Sequence, residues 1–291
     1  MLVKAFAKIN LVLDVLDTRA DGYHDLFTIM QTLELHDVVE LTKAGHIELV
    51  VEGANLTSGP ENLAYRAADL LRRQTGYTKG AKIRLVKNIP LEAGLAGGSA
   101  DAAAVLRGLN DLWGLDMGAS ELETLGAVLG SDVPFCLKGG TALVQGRGEK
   151  VDSLPSLPPL GVLLAKPTFG LSTGQVYRMY DDLKNPIHPD GQGMLQAVYN
   201  GDVAGVIVRL GNSLEQVVME KYVEIEKIKE ILAVSGANGV LMSGSGPTVF
   251  GLYGNESVAM KASIRINKRN FELMVTRFYT PKLIGNPCRF S

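Results

Sequence analysis

The most chemically informative stretch of the chain is a glycine-rich run between a predicted strand and a predicted helix. It spans residues 90–104 and carries Gly94, Gly97, Gly98 and Ser99 directly before an alanine-rich segment. Glycines let the backbone approach a ligand closely, and the first turn of the following helix offers unpaired N–H groups at its positive end. The run therefore predicts an anion site, and phosphate is a common anion at such sites. A plain connection would not need so many glycines.

Better-known phosphate-binding patterns are missing from the chain. No Gly-Lys dipeptide occurs, so the P-loop pattern is absent, and neither G-x-G-x-x-G nor the H-R-D and D-F-G signatures of protein kinases are found. The run is therefore not a P-loop, a Rossmann fingerprint or a protein-kinase loop.

Two further positions place a polar side chain in largely apolar surroundings. Apolar residues alternate from Val3 to Leu13, which predicts a strand with one buried face and places Lys8 and Asn10 together on the other face. Asp132 lies between a predicted helix end and Pro134 in an apolar setting. The alternative interpretations are a solvated lysine for Lys8 and a turn-capping side chain for Asp132.

The remaining elements predict an α+β protein of two lobes. Strands and helices are mixed without strict alternation, and 291 residues suit two domains. The best linker candidate is the proline-rich stretch from Ser153 to Pro159, since prolines neither continue a helix nor pair inside a sheet. We therefore predict domains at 1–157 and 158–291.

The charge and composition of the chain argue against nucleic acid and membranes as partners. The net charge of −2 gives no global attraction to nucleic acid or to an anionic membrane, and no run of 18 apolar residues predicts a membrane span. The first ten residues predict a strand and not a signal sequence. Cys136 and Cys288 form no C-x-x-C pair, which fits a reducing compartment. We expect a cytoplasmic protein that binds neither nucleic acid nor membrane. A homodimer is left open.

Three motifs together resemble the GHMP kinases, the superfamily of galactokinase, homoserine kinase and mevalonate kinase. They are Lys8-Ile9-Asn10-Leu11, the Pro-x-x-x-Gly-Leu-x-Gly-Gly-Ser-Ala run from Pro90, and the turn from Ser243 to Thr248. The resemblance implies the two-lobed GHMP kinase fold. Its N-terminal ATP-binding lobe would have a left-handed β-α-β type arrangement, and its C-terminal lobe would be ferredoxin-like.

Two shorter segments narrow the resemblance to family members that use ATP to phosphorylate an alcohol carried on a cytidine nucleotide, in isoprenoid precursor synthesis. They are Arg19 to His24 and Gly130 to Phe135. The resemblance implies that Asp132 accepts or orients the proton of the attacking hydroxyl and that Lys8 polarises that hydroxyl.

The resemblance also implies how the cytidine substrate is bound. His24 would hydrogen-bond the cytosine edge, Tyr23 would stack on the ring, and Tyr177 would stack opposite Tyr23. Thr173 shares a helix face with Tyr177, and Asn10 would contact the erythritol end of the substrate. For Tyr177, a core aromatic is the alternative.

For ATP, the resemblance implies that the glycine-rich run binds the phosphates, that residues on neighbouring segments contact the nucleoside, and that a turn of the second lobe covers the site. Mg²⁺ would ride on the phosphates, with Ser99 as the candidate ligand, because no dedicated carboxylate cage is visible. The turn at Gly244 and Ser245 would close over the substrate, with a plain hairpin turn as the alternative. The expected ATP-binding residues are Pro90, Gly94, Leu95, Ala96, Gly97, Gly98, Ser99, Asn62 and Lys87.

Three rival functions remain. Residues 170–174 fit the G-x-S-x-G pattern of hydrolases, for which His188 is the only later histidine. A ligand sensor of the same fold would have lost turnover, whereas this chain keeps Lys8, Asp132 and the glycine run. A kinase for homoserine or mevalonate would not need the Gly22-Tyr23-His24 element.

Overall fold

The computed structural model describes residues 1–267 and 270–279. The tail after Tyr279, to which the sequence assigns no role, lies outside the described residues, and so does Cys288 within it. The first lobe is built on a seven-stranded sheet whose central order is β3-β4-β2-β1-β8, with β5 on β2 and β6 on β5. Its strands are β1 (Leu2–Thr18), β2 (His24–Ala44), β3 (Glu48–Glu52), β4 (Gly80–Val86), β5 (Thr141–Gly146), β6 (Lys150–Ser153) and β8 (Gly211–Asn212).

Helices of the first lobe pack against one face of this sheet. The chain bounds are α1 (Leu63–Thr75), α2 (Gly97–Trp113), α3 (Ala119–Leu129) and α4 (Val133–Lys138). Helix α2 lies on α1 and on the two long strands, and its residues 100–106 are all buried. Small side chains on α2 allow this approach, since a Cβ at Gly108 would overlap with Leu41. Strands β3 and β4 are parallel and joined through α1, which gives a β-α-β unit.

The second lobe has a four-stranded antiparallel sheet in the order β11-β7-β10-β9. In chain order these are the fourth, first, third and second strands, which is the ferredoxin-like order that the family resemblance implied. The strands are β7 (Gly161–Pro167), β9 (Gly239–Met242), β10 (Val249–Tyr253) and β11 (Phe271–Arg277). The helices are α5 (Thr173–Asp181), α6 (Gly191–Tyr199), α7 (Val203–Val208), α8 (Glu215–Lys221), α9 (Val223–Val234) and α10 (Glu256–Arg265).

The two lobes share a core. Strand β8, late in the chain, pairs in parallel with β1, and Leu160, Val162 and Phe250 belong to the same buried cluster as β1 and α2. Beyond Ser153, the last residue of β6, the predicted linker has no regular structure, yet Leu154 and Leu157 are buried. We therefore keep the division at 157/158 as a proposal about chain organisation and do not treat the lobes as independent bodies.

Helices α4 and α6 were not predicted from the sequence. Helix α6 begins Gly-Gln-Gly, which has poor helix propensity, but the Asp190 side chain caps it by accepting from the amide of Gly193. None of the described helices is long and apolar enough to span a bilayer.

Candidate active site

A cavity of about 510 Å³ opens where the two lobes meet. Its walls come from β1, β2, the start of α2, the loop before α4, the β5–β6 turn, α5 and the turn before β10. The lining residues used below are Lys8, Asn10, Tyr23, His24, Thr28, Ser99, Asp132, Arg147, Thr173, Tyr177, Arg178, Asp181, Gly244 and Ser245. Most of the residues predicted to act on a substrate therefore meet in one place.

Lys8 and Asp132, which are 124 positions apart in the chain, face each other across this cavity. The Lys8 ammonium lies 3.4 Å from Oδ2 of Asp132. It also donates to Oδ1 of Asn10 at 2.8 Å and to the carbonyl of Gly94 at 3.3 Å. Lys8 is buried, 4% exposed, so the interpretation as a solvated strand lysine is wrong.

A chain of hydrogen bonds fixes Lys8 from behind. Asn10 accepts from Lys8 and donates through Nδ2 to the hydroxyl of Thr28, which donates in turn to the carbonyl of Val12. Because both polar ends of the Asn10 amide are engaged, its orientation is set. The Lys8 ammonium is thus held in position before any substrate arrives.

Asp132 sits at the N-cap position of α4, but its side chain makes no capping hydrogen bond. The carboxylate is 30% exposed and lines the cavity. A turn-capping role is therefore not what this side chain does. The carboxylate is open on one side and neutralised by Lys8 on the other, as a group that acts on a substrate hydroxyl requires.

The glycine-rich run forms a tight loop that opens into α2. Glu92, Gly94 and Ala96 all have positive φ, at 48°, 72° and 57°, and Ala96 is an N-cap without a side-chain hydrogen bond. The first-turn amides of α2, from Gly97 to Ser99, have no intrahelical acceptors. The loop is anchored by the amide of Lys8, which donates to the carbonyl of Leu95 at 3.1 Å. This arrangement can bind an anion.

The turn of the second lobe at Ser243–Gly246 closes against this loop. The Ser243 hydroxyl donates to the carbonyl of Gly94 at 3.0 Å. Ser245 exchanges a hydrogen bond with Thr173 at 3.0 Å, and Asn212 donates to the carbonyl of Gly244 at 2.8 Å. A Cβ at Gly94 would overlap with the carbonyl of Ser243. The turn is therefore part of the site wall and more than a plain hairpin.

The far end of the cavity carries the aromatic groups. Tyr23 is 52% exposed, and the Arg147 guanidinium lies 5.4 Å from its ring centroid. His24 is buried, with its ring 4.9 Å from that of Tyr177 and its Nε2 at 2.6 Å from Asp181. Burial raises the pKa of the Tyr177 hydroxyl above its usual range, so it stays protonated at neutral pH.

Comparison with known proteins agrees with this geometry. The model of the GHMP kinases N terminal domain matches residues 62–140, and that of the GHMP kinases C terminal domain matches residues 194–270. The chain is 50% identical to the 4-diphosphocytidyl-2-C-methyl-D-erythritol kinase of Pelotomaculum thermopropionicum over 281 residues, which are 96% of this chain and 98% of the relative. Its identity to the protein of the same name from Bacillus subtilis is 49% over 259 residues, 88% of this chain and 89% of the relative. The chain belongs to the GHMP kinase family.

Solved structures support the same placement of this GHMP kinase. A crystal structure of 4-(cytidine 5'-diphospho)-2C-methyl-D-erythritol kinase superposes with a TM-score of 0.80 at 34% identity, covering 96% of this chain and 99% of the other. A homoserine kinase from Cytophaga hutchinsonii superposes with a TM-score of 0.72 at 20% identity, covering 94% of each chain, which shows a shared fold alone.

In this GHMP kinase, two predicted ATP-binding side chains are engaged elsewhere. Asn62 caps α1, accepting from the amide of Ala64 and donating to the carbonyl of Thr57. The Lys87 ammonium is buried between the carboxylates of Asp37 and Asp101. We therefore assign neither side chain a direct contact with ATP, although both lie on segments that adjoin the glycine loop. Pro90 is half-buried at the start of the loop.

Several cavity residues had been missed by the sequence analysis. Arg147 and Arg178 bring positive charge to the cavity, Asp181 holds His24, and Thr28 supports Asn10. The Gly146-Arg147-Gly148 turn was a usable signal for Arg147, since both glycines take positive φ. Asp181 has no such signal, because it lies 157 positions from His24 in the chain.

Proposed function

We propose that this chain transfers the γ-phosphoryl group of ATP to the 2-hydroxyl of 4-(cytidine 5'-diphospho)-2-C-methyl-D-erythritol, in the non-mevalonate route to isoprenoid precursors. One observation carries the proposal. A single cavity is lined by Tyr23 and His24, by the Lys8–Asp132 pair, and by Ser99 in the first turn of α2, directly after the glycine-rich loop. The names of full-length relatives at about half identity support the substrate.

Phosphoryl transfer asks the protein mainly for alignment and charge stabilisation. Asp132 accepts or orients the proton of the attacking hydroxyl, and Lys8 polarises that hydroxyl and balances the carboxylate. Both groups are preorganised, since Lys8 is held by Asn10 and by the Gly94 carbonyl, and Asp132 is paired with Lys8. Asn10 also lines the cavity where the erythritol end would bind.

The aromatic end of the cavity would bind the cytidine. The exposed ring of Tyr23 is free to stack on a base, which contributes roughly 1–3 kcal/mol. Tyr177 contacts the His24 ring, so we propose that it supports His24 as well as facing the base. Thr173 with Ser245, and the turn at Gly244, would contact the substrate between its two ends.

The ATP phosphates would be held by the amides from Gly94 to Ser99. Mg²⁺ bound to those phosphates would neutralise charge on the transferred group. The described residues hold no cluster of three or more His, Cys, Asp or Glu side chains suited to a metal. Ser99 lines the cavity at the start of α2, where its hydroxyl could be the protein ligand to a phosphate-bound ion.

The rival functions have less support. The hydrolase interpretation needs Ser172 hydrogen-bonded to a histidine, but in the described part of the chain no hydrogen bond joins Ser172 to His188, whose contact is with Asp14 at 2.7 Å. A sensor that has lost turnover would not need an organised Lys8–Asp132 pair. We further propose a cytoplasmic enzyme without nucleic-acid or membrane partners. Whether it forms a homodimer can be measured by sedimentation.

A substrate panel with labelled ATP tests the proposal. The candidates are the cytidine-diphosphate methylerythritol, free methylerythritol, homoserine and mevalonate. We expect label transfer to the first compound only. Comparable transfer to homoserine would overturn the substrate assignment, and no transfer to any of the four would favour the sensor.

A further inference from the structure

Asp181, the last residue of α5, forms a short hydrogen bond with His24, the residue proposed to read the cytosine edge. Its Oδ1 lies 2.6 Å from Nε2 of His24. The carboxylate is 44% exposed and lines the cavity, whereas His24 is only 9% exposed. The contact joins the start of β2 in the first lobe to the end of α5 in the second, across 157 positions of the chain.

This contact sets which nitrogen of His24 carries the proton. An ionised carboxylate can only accept, so Nε2 must be the N–H nitrogen, and the neutral ring then has its lone pair on Nδ1. Nδ1 has no hydrogen-bond partner in the described part of the chain, and it is not among the buried polar atoms that lack one. It is therefore accessible, and the cavity is the open space that His24 lines.

The ring cannot easily present another atom. Tyr177 packs against one face of the imidazole at 4.9 Å between centroids and an interplanar angle of 30°. A turn of the ring about its Cβ–Cγ bond would break the Nε2–Asp181 hydrogen bond. Asp181 and Tyr177 thus fix the tautomer and the orientation together.

We propose that Asp181 is a positioning residue that makes His24 an acceptor and so selects cytosine over uracil. Cytosine presents an amino donor at the position where uracil presents a carbonyl acceptor. An acceptor nitrogen on His24 can accept a hydrogen bond from the amino group of cytosine. Opposite uracil, the lone pair of that nitrogen would face the lone pairs of the carbonyl oxygen, and the two would repel each other. This inference rests on the proposed function, because it takes the occupant of this end of the cavity to be a cytidine nucleotide.

Asp181 can be removed without dismantling the helix that carries it. Helix α5 is anchored by the buried side chain of Val176 and by Tyr180, whose hydroxyl donates to the carbonyl of Val15 at 3.2 Å. The next residue, Asp182, is an exposed aspartate at the C-cap of α5, and its side chain makes no hydrogen bond or ion pair with the described residues. It is a matched control for a charge lost at the end of this helix.

The test compares binding of CDP and UDP by calorimetry in the wild type, Asp181→Leu and Asp182→Leu. We expect the wild type and Asp182→Leu to favour CDP by tenfold or more, on the scale of one unsatisfied buried polar group. In Asp181→Leu the ratio should fall to within about threefold, while ATP affinity is unchanged. If the wild type binds CDP and Asp181→Leu keeps its ratio, this inference is wrong and the proposed function stands. If the wild type does not bind CDP, both fail.

Nitrogen-15 NMR of the imidazoles gives an independent readout. The chain has 4 histidines, and His24→Gln assigns the signal. We expect a neutral Nε2–H tautomer for His24 in the wild type at pH 7.5 and mixed tautomers in Asp181→Leu. A neutral Nδ1–H form or an imidazolium in the wild type would overturn the proposal, since Nδ1 would then be a donor.

Discussion

Two buried lysines of the first lobe, Lys8 and Lys87, both pair with aspartates beside the glycine loop, yet their surroundings differ. Lys8 faces a cavity and has one carboxylate partner, Asp132, at 3.4 Å and 30% exposed. Lys87 is itself buried and lies between Asp37 and Asp101, whose side chains are 0% and 3% exposed. The first pair can reach a substrate, whereas the second is sealed within the protein.

The sealed network braces the loop at both ends. Asp37 accepts from the amides of Asn88 and Ile89 as well as from Lys87, so it fixes the chain where β4 leads into the loop. Asp101 lies on α2, where the chain leaves the loop, and accepts from Lys87 at 2.6 Å. The comparison indicates that Lys8 supplies positive charge to the cavity, whereas Lys87 holds the backbone on both sides of the glycine-rich loop in place.

The largest expected effect comes from removing the sealed cation. Lys87→Met leaves two carboxylates buried without a counter-charge, which should lower the free energy of unfolding by about 3–5 kcal/mol. Urea unfolding measures this. Lys82→Met, at an exposed position on β4, the strand that ends just before Lys87, should change the free energy of unfolding by less than about 0.5 kcal/mol. A stable Lys87→Met protein with a greatly raised KM for ATP would mean that Lys87 contacts ATP after all, as the sequence predicted.

Asp132→Asn tests the open pair, and its effect should appear in turnover. Loss of one preorganised group lowers kcat on the order of 10²- to 10³-fold. Stability should change little, because the side chain makes no capping bond and is partly hydrated. Asp152→Asn, at an exposed position on β6, is the control and should keep full activity. An Asp132→Asn enzyme with near-normal kcat would remove this residue from the mechanism.

A comparison of Gly94→Ala with Gly76→Ala separates the cost of backbone strain from the effect of moving the glycine-rich loop. Gly94 and Gly76 both have positive φ, at 72° and 68°, but a Cβ at Gly94 would overlap with Ser243, whereas one at Gly76 meets no atom within 4 Å. Each alanine variant should lose about 1–2 kcal/mol of stability from the backbone alone. Only Gly94→Ala should also raise the KM for ATP, by tenfold or more. Equal kinetics in the two variants would mean that the Gly94–Ser243 contact does not shape the site.

Sequence patterns were enough for most of the elements, though not for α4 and α6, and the family resemblance named most of the side chains that meet in the cavity. Alternation predicted β1, because burial on one face follows directly from the period, and the alanine-rich segment after the glycine run predicted α2. The roles of side chains that bind other side chains were not predictable in the same way. Lys87 meets Asp37 and Asp101 from 50 and 14 positions away, and no local pattern specifies such meetings. The family resemblance named Lys87 but could not say which way its ammonium points.

The smallest expected effect concerns the pH dependence of the sealed network. Burial, reinforced by the Asp37 carboxylate and opposed by Lys87, raises the pKa of Asp101 to about 7, above the value near 3.9 of an unfolded chain. The folded state then binds a proton that the unfolded state has released, so the stability that protonation contributes is complete below pH about 4 and is lost as the pH rises through about 7. Between pH 6 and pH 8 this loss amounts to about 1.4 kcal/mol for one proton, or a few degrees in the unfolding midpoint.

Asp101→Asn keeps the shape of the neutral carboxyl group and should lack this component of the pH dependence. Its unfolding midpoint should therefore rise relative to that of the wild type as the pH is raised over this range. A difference between the two proteins that stays constant from pH 6 to pH 8 would mean that Asp101 is already ionised at pH 6 and that Lys87 outweighs the cost of burial.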